Sequence, residues 1–464
     1  MFCETKKKGG NLSKGQAKNT DNIWKAKALE RGKENIRLRK RLREVSESRA
    51  SWKAKCQNPS KSFESSSLFI GEKAKFHQYS LVLVGLLLDF QRYGTLSLRG
   101  CRHCLGCLLL SMGLNGRIPS HNSIRNWLCK HGYNRFLETQ KQSGECVVYV
   151  DESIVFGSEK ILLILGISKD KIPLDRGVLH TDMDVLYVGY SHEWKAESIA
   201  DELQKIAKYK EISYVVSDEG LNLRKAYNFC DYVHIEDCTH IFANYLKKIY
   251  GKDLTFDAFR KLIGKLRQAW NLSKINSQYM PPSMRGKMRF ANIFPCVDWA
   301  KSCLDTWDTF DKKVQESLQF LKEQKEFIDQ LIEIGKVFKW VCAKLKIEGF
   351  GSQQKKDILE KLSVFKVEKN TAIFVQNIKE YLKNLSQKST QLGKEHLLCS
   401  SDIIESFFGK FKQKINSNSR RGLTEFIFTM ANFSGNFTQN EIKNALENVK
   451  IKDLKQVKQK VKAT

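Results

Sequence analysis

The chain has 464 residues, 41 % of them hydrophobic and 28 % charged, proportions that suit a water-soluble protein of roughly two to four domains. Lys and Arg number 79 against 51 Asp and Glu, a formal net charge of +28. An excess of that size draws in polyanions, nucleic acid first. No apolar run approaches the ~18–20 residues of a membrane span, which sets aside an integral membrane protein.

The opening stretch "MFCETKKKGGNLSKGQ" is basic with no apolar segment behind it. That argues against a secretion signal and predicts a cytoplasmic protein. The 13 cysteines are odd in number and scattered, as expected of reduced and mostly buried thiols. In "CRHCLGC", Cys101, Cys104 and Cys107 have a spacing used in metal sites. The fourth ligand is missing, and the same spacing is one face of a helix.

Residues 20–56 have one glycine and no proline, with Ile36, Leu42, Val45 and Trp52 near helical spacing among many Lys and Arg. They predict a basic helix, either a short coiled coil, a nucleic-acid contact or a solvated helix, with residues 1–60 ending in the linker "QNPSKSFESSS". Residues 61–143 predict a compact helical domain. Within it, "IPSHNSIRNWLCKHGYNRF" places Ile124, Trp127 and Leu128 on one helix face and Arg125, Asn126 and Lys130 on the others. Reading "HGY" as a stop, with Gly132 as C-terminal cap, gives a helix-turn-helix-like unit that offers those three polar residues to DNA. A plain three-helix bundle fits the same pattern.

The period changes at Glu145. "CVVYVDES", "ILLILGIS" and "VLYVGYS" read as strands, followed by the helix "KAESIADELQKIAKY" and the strand "ISYVVSDEG". A short helix, the strand "YVHIED" and the helix "CTHIFANYLKKIY" complete the order β-β-β-α-β-α-β-α. This predicts an α+β protein with a mixed five-stranded sheet, the element order of a ribonuclease-H-like core, over residues 144–251. Residues 252–392 read as an all-helical insertion, too long for a connection and so a subdomain. Three of the six prolines fall in its loop "YMPPSMRGKMRFANIFP". Residues 393–435 return to the core with the helix "SDIIESFFGKFK", and 436–464 form a basic tail.

Asp151 and Asp218 each end an apolar strand run, and in this order the first and fourth strands are neighbours. Their carboxyl ends aim both side chains at one spot, and Glu405 comes from a helix able to pack beside them. An Asp followed by Glu and Gly also suits a turn or cap. Three carboxylates in so basic a chain favour bound Mg2+ or Mn2+, and two such ions can clamp the attacking and leaving oxygens of a phosphodiester.

On "VVYVDES", "YVVSDEG" and "SDIIESFFGKFK" the chain resembles the DDE transposases of bacterial insertion sequences, over roughly residues 75–435. The resemblance implies that Asp151, Asp218 and Glu405 hold two Mg2+ ions, which Mn2+ can replace. It implies cleavage at transposon ends and strand transfer to target DNA by a homodimer or larger assembly on DNA, in a prokaryotic, nucleoid-associated setting. "DCTH" matches an Asp or Cys placed three residues before a His in several such families, here Asp237 and His240. His240 would orient DNA, brace the site or serve as an ordinary structural histidine. Lys412, two helical turns past Glu405, or its neighbour Lys410, would contact backbone phosphate. Arg420 and Arg421 are placed for the same contact. Trp340 would stack on a flipped base or, more simply, fill core. Leu398 and Ser401 stand where that signature has Tyr and Arg. A DNA-binding protein that has lost catalysis, or a ribonuclease-H-like nuclease, is the alternative.

Overall fold

The structure is a computed structural model. It describes residues 30–32, 34–47, 49–50, 71–94, 96–114, 116–156, 159–273, 279–284, 290–365, 369–415 and 424–454. The chain divides into two units, one of residues 1–65 with 114–116 and one of the remainder. In the first, the described residues of 30–50 form a helix, α1, that exposes Ile36, Leu42 and Val45 along with its charges. Among the described residues no helix is long and apolar enough to cross a membrane.

The second unit begins with α2 (Leu81–Arg92), α3 (Leu98–Ser111) and α4 (His121–Thr139), which pack on one another. Ser80, Ser97 and Ser120 cap them by accepting from the backbone N–H of Leu83, Gly100 and Ser123. The three cysteines of α3 lie on a helix, with Cys101 buried and Cys104 and Cys107 exposed.

The expected stop at "HGY" is not made. α4 runs through Gly132 for 19 residues. A Cβ at Gly132 would lie 2.1 Å from the Phe428 carbonyl oxygen, so this glycine lets the 3-10 segment Glu425–Phe433 press against the helix. The residue absent from Gly132 is therefore a side chain that would clash, and the backbone there stays helical. No helix-turn-helix is formed around "HGY". α4 is wrapped by that 3-10 segment and by α15 (Gln439–Asn448), and eight of its residues are buried.

The sheet comprises β1 (Glu145–Phe156), β2 (Glu159–Ser168), β3 (Met183–Ser191), β4 (Glu211–Ser217) and β5 (His234–Glu236) in spatial order β3-β2-β1-β4-β5. β1, β2 and β3 form an antiparallel meander, and β1, β4 and β5 run parallel. The parallel pairs need crossovers, which α5 (Ala196–Ala207) and α6 (Leu221–Cys230) provide. This is a mixed open sheet flanked by helices, of α+β class, as the sequence predicts.

Alternation along the strands sorts side chains to two faces. Val148, Val150, Leu162, Ile164 and Val215 meet the apolar stripe of α5, with Ile199, Leu203 and Ile206. Val147, Tyr149, Tyr214 and Val216 face the larger core, shared with α7 (Cys238–Tyr250) and the inserted helices. These are α8 (Leu254–Ser273), α9 (Phe294–Asp305), α10 (Lys312–Glu323), α11 (Lys325–Glu348), α12 (Ser352–Val364) and α13 (Lys369–Leu392). The insertion is thus helical as expected, but its core is continuous with one face of the sheet and does not stand apart from it.

Its return is tied down at several points. Gly349, at φ +67°, ends α11 and lets Phe350 bridge to Leu397. Tyr381 Oη of α13 donates to the Glu236 carbonyl (2.8 Å), Leu398 N–H donates to Tyr214 Oη (2.9 Å), and Cys238 N–H donates to the Cys399 carbonyl (2.9 Å). Chain end and sheet end are thereby brought together, and α14 (Asp402–Lys414) starts beside β1.

Candidate functional site

Asp218 directly follows the last residue of β4, as its sequence position predicts. Asp151 departs from expectation, because β1 continues to Phe156. Its antiparallel partner β2 pairs on past it, with Asp151 opposite Leu163. What ends near Asp151 is the parallel ladder, whose last pair is Tyr149 with Val216. Asp151 and Asp218 each stand two residues past that pair, on the face of Tyr149 and Val216. Both residues lie past the end of that ladder and line the same cavity. Each also organises local backbone: Asp151 Oδ1 accepts from Glu152 N–H (2.7 Å) and Asp218 Oδ1 from Gly220 N–H (3.0 Å). The turn role open to Asp218 in the sequence is real and coexists with its place in the site.

Glu405 arrives from α14, where Ile403, Ile404, Phe407, Phe408 and Phe411 are buried and set the helix rotation. The carboxylate sits in the first turn, where the helix dipole favours negative charge. Asp151, Asp218 and Glu405 line one cavity of about 320 Å3, together with Glu152, Ser401 and His240. Glu405 remains half exposed; partial desolvation raises its carboxyl from the ordinary value, and the charge of His240 opposes that shift. Lys346 of α11 pairs with Asp402 at 2.6 Å, one turn from Glu405, so the insertion braces the same helix start.

A relay joins three segments behind the cavity. Asp237 is 1 % exposed and caps α7, its Oδ1 accepting from His240 N–H at 2.8 Å and lying 3.0 Å from His240 Nδ1. Its Oδ2 accepts from the Ser401 backbone N–H (2.6 Å) and hydroxyl (3.1 Å). Burial would raise the Asp237 carboxyl, yet the hydrogen bonds from His240 and Ser401 hold it below its ordinary value. The Asp237 hydrogen bond raises His240 to about 9, against the opposing effect of burial. His240 is therefore a cation at neutral pH, with Nε2 3.6 Å from Glu405 Oε1. That distance exceeds a hydrogen bond and suits an ion pair. His240 thus stands beside Glu405 on the wall of the cavity and is tied to Asp237.

Ser401 was legible only as a departure from a signature. Its side chain leaves the start of α14 uncapped and turns to Asp237. Glu152 was likewise missed as a cavity residue. Lys160 Nζ donates to its Oε1 at 2.9 Å, and its Oε2 is buried without a partner.

Lys412 donates to Ser153 Oγ at 2.6 Å. Ser153 shares the Asp151 face of β1, about 6.6 Å along the strand at two residues' rise. Lys410 lies on another side of α14, 6.0 Å from the Phe433 ring, and burial lowers its pKa. Trp340 packs, partly buried, against the large core. Arg125 pairs with Glu425 at 2.8 Å and Lys130 Nζ donates to the Leu446 carbonyl at 2.8 Å, so both are engaged within the fold. Asn126 is half-buried on the same helix. Arg420 and Arg421 lie outside the described residues.

Among the described residues, no three His, Cys, Asp or Glu side chains converge closely enough to enclose a metal ion as they stand. The donor chemistry nonetheless suits hard cations: oxygen ligands on two adjacent strands and a helix, around a common cavity. No protein-family model matches the chain, and no curated protein matches it.

Proposed function

We propose that the protein is a DDE-type transposase with a ribonuclease-H-like core, cutting and joining DNA strands at the ends of its own element. The observation that carries this reading is the pairing of Asp151 and Asp218 at equal offsets beyond the β1–β4 ladder, with Glu405 on the same cavity. The strand order β3-β2-β1-β4-β5 supports it, as does the net charge of +28.

Asp151, Asp218 and Glu405 are the residues that would hold Mg2+, which when bound activates a water or a 3′-hydroxyl and stabilises the leaving oxygen. The chain's own residues do the rest. His240, 3.6 Å from Glu405, favours the charged form of that carboxylate at the edge of the cavity. Asp237 keeps His240 charged and ties it to the start of α14. Lys412, held near Asp151 through Ser153, offers a cation to a backbone phosphate entering the cavity. Two DNA ends are joined in such a reaction, so the active form is a dimer or larger assembly on DNA.

The test is cleavage of DNA carrying the sequences that flank the protein's own gene, with and without Mg2+. The expected result is metal-dependent nicking at those flanks by the wild type and none by Glu405→Gln. Tight, salt-sensitive binding with no cleavage under any divalent cation would instead mark a DNA-binding protein without catalysis.

A further inference from the structure

A cavity of about 670 Å3 lies on the insertion, between α8 and the stretch Pro282–Met284. The apolar side chains Phe256, Phe259, Ile263, Leu266 and Trp270 are buried and fix the rotation of α8. Beside that buried row, Arg260, Lys261, Gly264, Arg267, Gln268 and Asn271 run along the cavity, with Ser283 across from them. The charged side chains that line the cavity are cations, and Asp257, one turn earlier on the same side of the helix, is the carboxylate paired with two of them.

We propose that this face of α8 is a second DNA-binding surface, taking the sugar-phosphate backbone of a strand outside the carboxylate cavity. The proposal rests on the reading of the protein as one that acts on DNA, and it adds a site which that reading does not need.

Charge is the first argument. Arg260 and Lys261 share a single carboxylate, Asp257, at 2.8 and 2.7 Å, which leaves that corner net positive. Arg267 donates one N–H to the Pro281 carbonyl, and its guanidinium has further donors for a ligand. Gln268, Asn271 and Ser283 add neutral donors of the kind that bond phosphate and sugar oxygens.

Shape is the second. Arg260 and Arg267 are seven residues apart, about 10.5 Å along the helix. A row of that length faces about three phosphates of one strand, spaced ~3.4 Å along the duplex axis. A small phosphate ligand would need an enclosing site, whereas this one is an elongated row. A Cβ at Gly264, midway along it, would meet nothing within 4 Å, so the middle of the row stands open.

The experiment measures binding to a labelled DNA duplex without divalent cation, as a function of salt. It compares the wild type with Arg260→Gln/Arg267→Gln and, separately, with Gly264→Glu. Gly264→Glu improves helix propensity and puts a negative charge in open space, so loss of folding is not its expected effect. Loss of two phosphate contacts lowers the slope of log K against log salt by about 1.8. The proposal expects that change in the double variant and weaker binding in Gly264→Glu, with thermal unfolding as in the wild type. Unchanged slope and affinity in both variants, with the wild type binding and cutting DNA, overturns this site alone. No DNA binding by the wild type overturns the DNA reading, and this site falls with it.

Discussion

Two regions of the larger unit carry charged residues at helical spacing, and they use them in opposite ways. On α4, Arg125 and Lys130 look in sequence like a groove-reading face, yet Arg125 is paired with Glu425 and Lys130 with the Leu446 carbonyl. On α14, Glu405 and Lys412 sit among buried aromatics, yet one lines a cavity with two aspartates and the other reaches Ser153 beside them. The difference lies in what covers each helix. α4 is enclosed by the 3-10 segment and α15, so its polar residues hold the fold together. α14 has one covered side, and its first turn opens on the end of the sheet. The same helical spacing of charges therefore serves packing on α4 and lines a cavity on α14.

The largest effect expected from this contrast is in the cavity. Asp218→Asn should reduce cleavage below detection while DNA affinity in a gel-shift assay stays at the wild-type level. Retained cleavage would remove β4 from the site. Next is the relay: Asp237→Asn should lower the cleavage rate by ~10–100-fold, the usual effect of losing a group that orients a ligand residue. It should also move a pH limit. With His240 raised to about 9, its positive charge is lost as pH rises through 9, and activity should fall there. Its contribution to stability is likewise complete below pH 6.5 and lost as pH rises through about 9. In Asp237→Asn the main cause of the shift is gone, so the alkaline limb should move toward pH 6.5. An alkaline limb in Asp237→Asn at the same pH as in the wild type would contradict the relay.

On the α4 side the expected effects are on folding. Gly132→Val should destabilise by ~1–3 kcal/mol through overpacking against the Phe428 backbone, read as a lower Tm. Arg125→Ala should cost less, about 1 kcal/mol, and leave the salt slope of DNA binding unaltered, since this arginine already has its carboxylate. A smaller slope for Arg125→Ala would restore α4 as a DNA-reading helix.

The smallest effect concerns Lys414, at the far end of α14. Burial, with Lys410 and Arg92 nearby, pushes its amine down to about 7, and only Cys101 opposes this. Between pH 7 and 10.5 the unfolded chain holds more protons, so this group makes stability rise with pH in that window. Lys414→Met should raise Tm, and by more at pH 6 than at pH 9.

The sheet was legible because its cues are local: apolar runs, a period of two, and turn residues between them. The lateral match of Asp151 with Asp218 followed from strand order. That Asp151 lies inside β1 did not, since the length of β1 is set by pairing with β2 beyond the last β1–β4 pair. Gly132 was misread as a helix stop for a similar reason. A glycine required by a close backbone neighbour looks in sequence like one required for a positive φ, and the neighbour, Phe428, is remote along the chain. Ser401 showed in the sequence only as a departure from a signature, because its hydrogen bonds exist only once Asp237 is beside it. Local propensity thus reveals elements, while the residues that hold a site in place depend on contacts between distant segments.

The central claim is that carboxylates from β1, β4 and α14 act as one cation site. It is tested most directly by titrating the protein with Mn2+ and following free ion by electron paramagnetic resonance, in the wild type and in Asp151→Asn, Asp218→Asn and Glu405→Gln. Binding by the wild type that each of the three substitutions weakens is the expected result. Binding in all three variants as tight as in the wild type would place the metal elsewhere and contradict the site.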